Sequence, residues 1–187
     1  MGCIVKVCET FIKDLKIIKA YPHKDKRGVF SRVFCENELK NIVENRKILQ
    51  INYSQTNNIG AVRGLHFQRP PHAEMKLVRC IKGKVWDIAV DLRKDSPTFL
   101  RWHAEELTSS NMRMILIPEG FAHGFQVLEP QSELLYLHTA FYHPKSESGL
   151  NPEDPTLNIK WPLEITDLSA RDARHKIIKK NFEGISL

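Results

Sequence analysis

Along most of this chain polar and apolar positions alternate with a period of two, the pattern of strands rather than helices. The clearest stretch is MKLVRCIKGKVWDIAVDLR, Met75 to Arg93. It reads as two strands around a turn at Lys82-Gly83, and a two-residue loop there predicts that Ile81 pairs with Lys84, that Val78 faces Asp87 and that Lys76 faces Ala89. Side chains alternate across a strand, so Lys76, Val78, Cys80, Val85, Asp87 and Ala89 share one face. Met75, Leu77, Ile81, Trp86, Ile88, Val90 and Leu92 take the other. Both faces are apolar enough to be buried, yet one carries the opposite charges of Lys76 and Asp87. An inward charged pair loses hydration, which makes it weak evidence for stability and better evidence for a site. The segment ELLYLHTAFYHP, Glu133 to Pro144, repeats the logic: Tyr136, His138, Ala140 and Tyr142 fall on one face, opposite Leu135, Leu137, Thr139 and Phe141. Two phenols and an imidazole along one strand face are unusual for a plain core.

One segment has helical spacing. From Asn37 to Lys47, Leu39, Ile42 and Val43 lie on one face and Asn37 is placed to cap the start. Many short strands, with turn signals at Asn57-Asn58-Ile59-Gly60, Lys82-Gly83 and Pro118-Glu119-Gly120, argue for an all-β sandwich or jelly roll. The charged run from Pro162 to Lys180 is expected to hold a short helix over the barrel.

Composition narrows the class. The 187 residues contain no repeat and no low-complexity linker, and their length fits one domain, 1–187. With 42% hydrophobic and 27% charged residues, collagen-like, disordered and coiled-coil readings fail. No apolar run approaches the ~18–20 residues that span a bilayer, and the opening MGCIVKVCETFIKDLK meets charge too soon for a secretory signal. A soluble, cytoplasmic protein is expected. Met1-Gly2-Cys3 has the look of a myristoylation start, but Lys6 stands where that motif wants Ser or Thr, so lipidation is not expected. Cys3, Cys8, Cys35 and Cys80 are scattered and read as reduced thiols. The net charge is +6, from 28 Lys and Arg against 22 Asp and Glu. These basic residues are dispersed and no nucleic-acid-binding module is present, so an anionic small ligand is the better expectation than nucleic acid or membrane.

Two segments carry chemistry: RGLHFQRPPHAEMK, Arg63 to Lys76, and IPEGFAHGFQVL, Ile117 to Leu128. Pro118, Gly120 and His123 match the P-x-G-x-x-H core of the later cupin motif, whose turn sends a histidine into the barrel. Metal-binding cupins also need a His-x-His on an earlier strand, and here His66 is followed by Phe67-Gln68. His66, His72, Glu74 and His123 make a ligand set only across the break at Pro70-Pro71, so no metal is expected.

The chain resembles the dTDP-4-dehydrorhamnose 3,5-epimerase family through DKRGVFSRVF (Asp25 to Phe34), QINYS (Gln50 to Ser54), RGLHFQ (Arg63 to Gln68), EMKLVRCIKGKVWDIAVDLRKDSPTF (Glu74 to Phe99), IPEGFAHGF (Ile117 to Phe125), LLYLHTAFYHP (Leu134 to Pro144), IKWP (Ile159 to Pro162) and LSARD (Leu168 to Asp172). These blocks cover most of the chain in order. The resemblance implies a mostly β fold, a double-stranded β-helix or cupin-like jelly roll with a few short helices. It also implies an isomerase without cofactor, acting on a dTDP-linked 4-keto-6-deoxyhexose, and a homodimer. By resemblance His66 is the base, Asp172 orients it, Tyr136 is the opposing acid and Lys76 steadies the enolate oxygen, with Asp87 holding either Lys76 or His123. Arg27, Phe30, Gln50, Asn52, Arg63 and Tyr142 match substrate-binding positions. The apolar outer face of Leu77, Trp86, Ile88 and Val90 is expected to be covered by the second subunit.

The sequence departs from the commoner pattern in three places. Arg32 stands where an acidic residue is frequent, Pro152 where Trp often precedes the Asp-Pro of GLNPEDP, and the loop between Gln50 and Arg63 is about one residue longer. These changes bear on the nucleotide and the sugar more than on the proton chemistry. The competing readings are a single-carbon epimerase or 3,4-ketoisomerase on the same barrel, a metal-dependent cupin, and a binding module without turnover.

Overall fold

The computed structural model describes residues 4–187, so the Met1-Gly2-Cys3 start, and with it the lipidation question and the Cys3 thiol, lies outside the described residues. In chain order the elements are β1 (Ile4–Glu9), β2 (Lys16–Tyr21), β3 (His23–Asp25), β4 (Gly28–Phe30), α1 (Glu36–Val43), β5 (Gln50–Thr56), β6 (Ala61–Gln68) and β7 (Lys76–Lys82). They continue with β8 (Lys84–Asp91), β9 (Trp102–Thr108), β10 (Arg113–Ile117), β11 (Phe121–Val127), β12 (Ser132–His138), β13 (Glu147–Gly149), β14 (Asp167–Leu168) and α2 (Ala170–Ala173). Two sheets face each other. One runs β1-β2-β10-β7-β12-β5 and the other β13-β6-β11-β8-β9, with β14 alongside β6. From β5 to β8 and from β9 to β12 the chain passes between the two sheets, as in the jelly roll expected from the sequence.

The face assignment from the two-residue period holds, but the hairpin does not. The strands β7 and β8 lie in different sheets and do not pair. Lys76 is registered against Ile117 and His138, and Asp87 against Phe125 and Glu105. The turn at Lys82-Gly83 is therefore a corner between sheets. Gly83 has φ +75°, and a Cβ there would sit 2.4 Å from Ser132 Oγ, so a glycine is needed where the corner packs on β12. Periodicity assigns faces to a strand and is blind to its partners, which is why a corner reads as a hairpin. Val78, Cys80, Val85 and Ala89 still point into one core with Leu134, Ile115 and Phe125. Lys76 and Asp87 join them from opposite walls.

The outer faces are covered by this chain itself. Leu77 packs with Leu39 and Val43 of α1 and with Met114 and Leu116, whereas Trp86, Ile88 and Val90 pack with Leu150, Leu157, Trp161, Phe182 and Ile185 from the C-terminal third. That corrects the expectation that a second subunit covers them. The helix is also shorter than its pattern. It begins after Cys35, which is extended and offers no side-chain cap, and it stops at Glu44, where φ reaches +57°. Asn37 thus lies inside the first turn rather than capping it, though Leu39 and Val43 do form the buried face. The charged run after Pro162 contains the expected short helix, α2.

A bulge in β6 shapes the wall on which His66 stands. His66 pairs with His123 and Arg63 with Phe125, so β6 spends one more residue than β11 between the two pairs. The extra residue falls at Gly64, with φ +129°, and its backbone lies so close to β11 that a Cβ would be 2.6 Å from Gly124 Cα. Replacement Gly64→Ala is expected to cost about 1–3 kcal/mol through overpacking of backbone on backbone. Urea denaturation of the variant beside the wild type measures that loss.

Candidate active site

The bulge frees the Gly64 N–H from the ladder, and it donates instead to Asp172 Oδ2 at 3.2 Å. The other oxygen of Asp172 lies 2.7 Å from His66 Nε2. Asp172 sits on α2, whose start is capped by Ser169: its Oγ accepts the Asp172 N–H at 3.0 Å. Burial alone would raise this carboxyl, which is 2% exposed, but the bond from His66, its charge and the Gly64 N–H win and hold it at about 2. It is thus a carboxylate under all working conditions. A contact this short to an ionised oxygen requires a proton on Nε2, so Arg171 Nη2, 3.0 Å from the same nitrogen, abuts it without bonding. The other ring nitrogen, Nδ1, has no protein partner among the described residues and is left free to bond a ligand.

His123 stands next to His66 on the same wall, with Nε2 2.9 and 3.0 Å from the two oxygens of Asp87. Burial pushes the Asp87 carboxyl up, opposed by His123 and more weakly by Lys76. The sequence leaves Asp87 a choice of Lys76 or His123, and the geometry gives it His123. The His123 and Tyr136 rings meet edge to face, with centroids 6.1 Å apart at 73°, which closes the floor between the two sheets.

The opposite wall is built by β5, β7 and β12. Tyr136 Oη lies 2.9 Å from Ser54 Oγ, and burial pushes the phenol above its usual range despite that hydrogen bond. Lys76 Nζ is 3.0 Å from Glu74 Oε1, and Glu74 Oε2 is 2.8 Å from His138 Nδ1. Burial raises the Glu74 carboxyl, but His138 and Lys76 outweigh it and leave it below the ordinary value. Removing one member of such a buried cluster typically costs about 3–5 kcal/mol, because the others remain charged and dry.

These walls enclose a cavity of about 690 Å³. Its lining takes in His66, Lys76, His123, Tyr136, Asp172, Asn52, Arg63 and Tyr142 among the residues expected from the sequence. Asp87 lies one layer beneath, through His123. Gln50 joins at the rim, donating to Asn52 Oδ1 at 3.0 Å and accepting the Tyr142 N–H at 3.1 Å. Tyr142 lies beyond the end of β12, its hydroxyl donating to Glu147 at 2.7 Å. Arg27 and Phe30 are not brought to this cavity. They sit on the β3–β4 ribbon, where Arg27 is fully exposed and pairs with Asp25 at 2.6 Å. Arg32 does not line the cavity either: it pairs with Glu38 on α1. Pro152 has a structural use, its carbonyl accepting the Trp161 indole N–H at 2.9 Å.

The lining residues without a role assigned from the sequence alone include Glu74 beyond a metal set, His138, Ser54 and Arg171. Parity on β12 puts His138 on the inward face with Tyr136, and that is the available signal. The ligand set considered for a metal is dispersed, since His72 bonds Ser146 and stacks on His143 while Glu74 serves His138. Among the described residues, three ligating atoms that do lie within 4.8 Å of one another belong to His66, Asp172 and His175.

A jelly roll with a histidine–carboxylate couple on one inner wall and a phenol and a lysine amine on the other has the geometry that proton transfer on a small ligand requires. Comparison with known proteins gives that class its family. The family model for dTDP-4-dehydrorhamnose 3,5-epimerase matches residues 9–180. A curated dTDP-4-dehydrorhamnose 3,5-epimerase of Salmonella typhimurium is 41% identical over 170 residues, 89% of this chain and 92% of that protein. Among solved structures, the Bacillus anthracis dTDP-4-dehydrorhamnose 3,5-epimerase with TDP and PPi bound superposes with TM-score 0.90 at 36% identity, covering 94% of this chain and all of that one. The dTDP-6-deoxy-D-glucose-3,5-epimerase of Legionella pneumophila, in complex with dTDP-4-keto-L-rhamnose, gives 0.89 at 38% identity and 93% coverage of each. The chain belongs to the dTDP-4-dehydrorhamnose 3,5-epimerase family, and it is an isomerase.

The depressed Asp172 carboxyl has a consequence for stability. A carboxyl that ionises near 2 in the fold and near 4 when unfolded contributes about 2 kcal/mol, fully present above about pH 4 and lost as pH falls toward 2. Asp172→Asn is therefore expected to be less stable than wild type by about that amount at pH 7, with the difference shrinking between pH 4 and 2. Paired urea titrations across that range measure it.

Proposed function

We propose that the protein inverts C3 and C5 of dTDP-4-dehydro-6-deoxy-D-glucose to give dTDP-4-dehydro-L-rhamnose. The observation that carries this is the placement of His66–Asp172 and of Tyr136 on opposite walls of one cavity, with Lys76 on the Tyr136 wall. In a 4-keto sugar the hydrogens at C3 and C5 are both α to the carbonyl, so each leaves as a proton while its bonding pair becomes the enolate. His66 Nδ1 takes the proton, and the Asp172 carboxylate favours the imidazolium that forms. Lys76 donates to O4 as negative charge gathers there. Tyr136 returns a proton to the opposite face, and its high proton affinity suits a donor that stays protonated until a carbanion is near it. His123 and Asp87 buttress the floor beneath Tyr136.

The nucleotide end leaves the cavity past Arg63 and Arg171, whose guanidiniums suit a diphosphate. Arg171 is held by Glu147 at 3.0 Å and Arg63 by Thr56 at 2.8 Å, which aims both without neutralising Arg63. Gln50, Asn52 and Tyr142 form the rim on the β5 side. Arg27 and Phe30 would reach substrate from a second copy of the chain. A homodimer is supported by the unpaired edge strand β5, which exposes Ile51 and Tyr53, and by Val29 and Phe30 standing exposed on the ribbon. Cys8, Cys35 and Cys80 are free thiols, in keeping with a cytoplasmic enzyme, and no helix among the described residues is long and apolar enough to cross a membrane.

Incubation with dTDP-4-dehydro-6-deoxy-D-glucose in D2O, followed by NMR, is expected to place deuterium at both C3 and C5. Exchange at one carbon alone would select the single-carbon alternative. His66→Asn is expected to slow exchange at both carbons by about 10³-fold or more, and near-normal exchange would remove His66 from the base role. Tyr136→Phe is expected to lose net inversion while retaining exchange, since proton removal and proton return are separate steps.

A further inference from the structure

Beside His66–Asp172 and His123–Asp87, the cavity contains a third imidazole–carboxylate couple, which the reaction above does not use. His138 and Lys76 are register partners on β12 and β7, so their side chains leave adjacent strands side by side, about 5 Å apart at the backbone. Glu74, just before β7, reaches both, with Oε1 on Lys76 at 3.0 Å and Oε2 on His138 Nδ1 at 2.8 Å. The three side chains are 9–10% exposed, and all line the cavity. Three ionisable groups withdrawn from water are a poor device for stability alone, because a well-packed apolar trio does as well or better. The Glu74 contact also fixes the tautomer. With the Nδ1 proton directed at Glu74, the lone pair is on Nε2. Among the described residues that acceptor has one protein partner, the Asn52 amide, at a long 3.4 Å. It is an acceptor, almost dry, underused and set beside the ammonium.

We propose that His138 is a specificity residue whose Nε2 accepts a hydrogen bond from the sugar hydroxyl on the carbon next to the carbonyl, with Glu74 as its positioning residue. The inference rests on the reading that Lys76 holds O4. In a 4-keto-6-deoxyhexose the carbonyl carbon has two unlike neighbours: C3 carries a hydroxyl and C5 a methyl group. Whichever neighbour lies on the β12 side of Lys76 meets His138. A methyl there would strip Nε2 of its remaining hydration and give nothing back, whereas a hydroxyl satisfies it. His138 therefore seats C3 toward β12 and C5 away from it, and sugars without the 3-hydroxyl are rejected.

The test compares dTDP-4-dehydro-6-deoxy-D-glucose with its 3-deoxy counterpart, reading kcat/KM for solvent exchange at C5, a carbon both possess. Wild type is expected to prefer the hydroxylated sugar by about 10-fold or more. His138→Asn and His138→Leu are each expected to reduce that preference below about 3-fold by slowing the hydroxylated sugar, and Glu74→Gln to give an intermediate ratio because the imidazole stays but is no longer held. Thermal melts identify any variant that fails to fold, and the ratio within each folded variant decides. A preference that survives within about 2-fold in the His138 variants overturns the inference, as does equal slowing of both sugars. Wild type that exchanges neither carbon defeats the functional reading and this inference with it, whereas active wild type with a preference indifferent to His138 defeats this inference alone.

Discussion

The Asp172 carboxylate must stay ionised while almost out of contact with water, and much of the local structure answers that demand. Its two oxygens need donors, and the chain supplies one from a side chain and one from the backbone. A regular β6 would have committed the Gly64 N–H to a strand neighbour. The bulge releases it, and only a glycine fits there because β11 passes so close. The carboxylate itself is delivered by a one-turn helix that could not persist by itself. That helix depends on the Ser169 cap and on its seat against β6. The orientation of His66 is thus set by segments far apart in sequence, and it is only as firm as the packing that holds them.

The same logic of satisfied charge organises the remainder of the interior. Asp87 is answered by His123, and Glu74 by Lys76 and His138, so each buried carboxylate at the cavity has a cationic or protonatable partner on a neighbouring strand or turn. Where the partner sits decides what is free to act. His66 gives Nε2 to its carboxylate and keeps Nδ1, whereas His138 gives Nδ1 and keeps Nε2. Like residues on facing walls therefore present different atoms to the cavity.

Parity makes the faces legible in the sequence. Alternation assigns Val78, Cys80, Val85 and Ala89 to one face together with Lys76 and Asp87, and all six do point inward. What alternation cannot supply is the partner of each strand, since Lys82-Gly83 is equally good as a hairpin loop and as a corner between sheets. The helix boundary fails for a related reason: helical spacing continues past Val43, but Glu44 adopts a left-handed conformation and ends the helix regardless. The site residues come from resemblance, and resemblance finds those that the family shares. Glu74 and His138 matter through a contact between a turn and a strand 64 positions apart, and nothing local in either segment announces it. The outer apolar stripe misleads most plainly. It predicts a partner surface, but the C-terminal third and α1 already cover it.

Replacing the hairpin by a corner also gives the chemistry a better basis. Inversion of a carbon needs a proton removed on one side and returned on the other, so the two groups must confront each other across the ligand. Neighbouring strands of one sheet present side chains to the same side and cannot do this. Alternation of successive strands between two sheets can: β6 carries His66 on one wall, β7 carries Lys76 on the other, β11 returns to the first with His123 and β12 to the second with Tyr136. The interior of a small barrel is narrow enough for His123 and Tyr136 to touch edge to face at its floor, which limits how far apart His66 and Tyr136 can drift. The dispersed +6 charge then divides by depth. Lys76 is held inside by Glu74, where the proposed reaction develops charge on an oxygen, while Arg63 and Arg171 line the same cavity, where the proposed ligand already bears its charges.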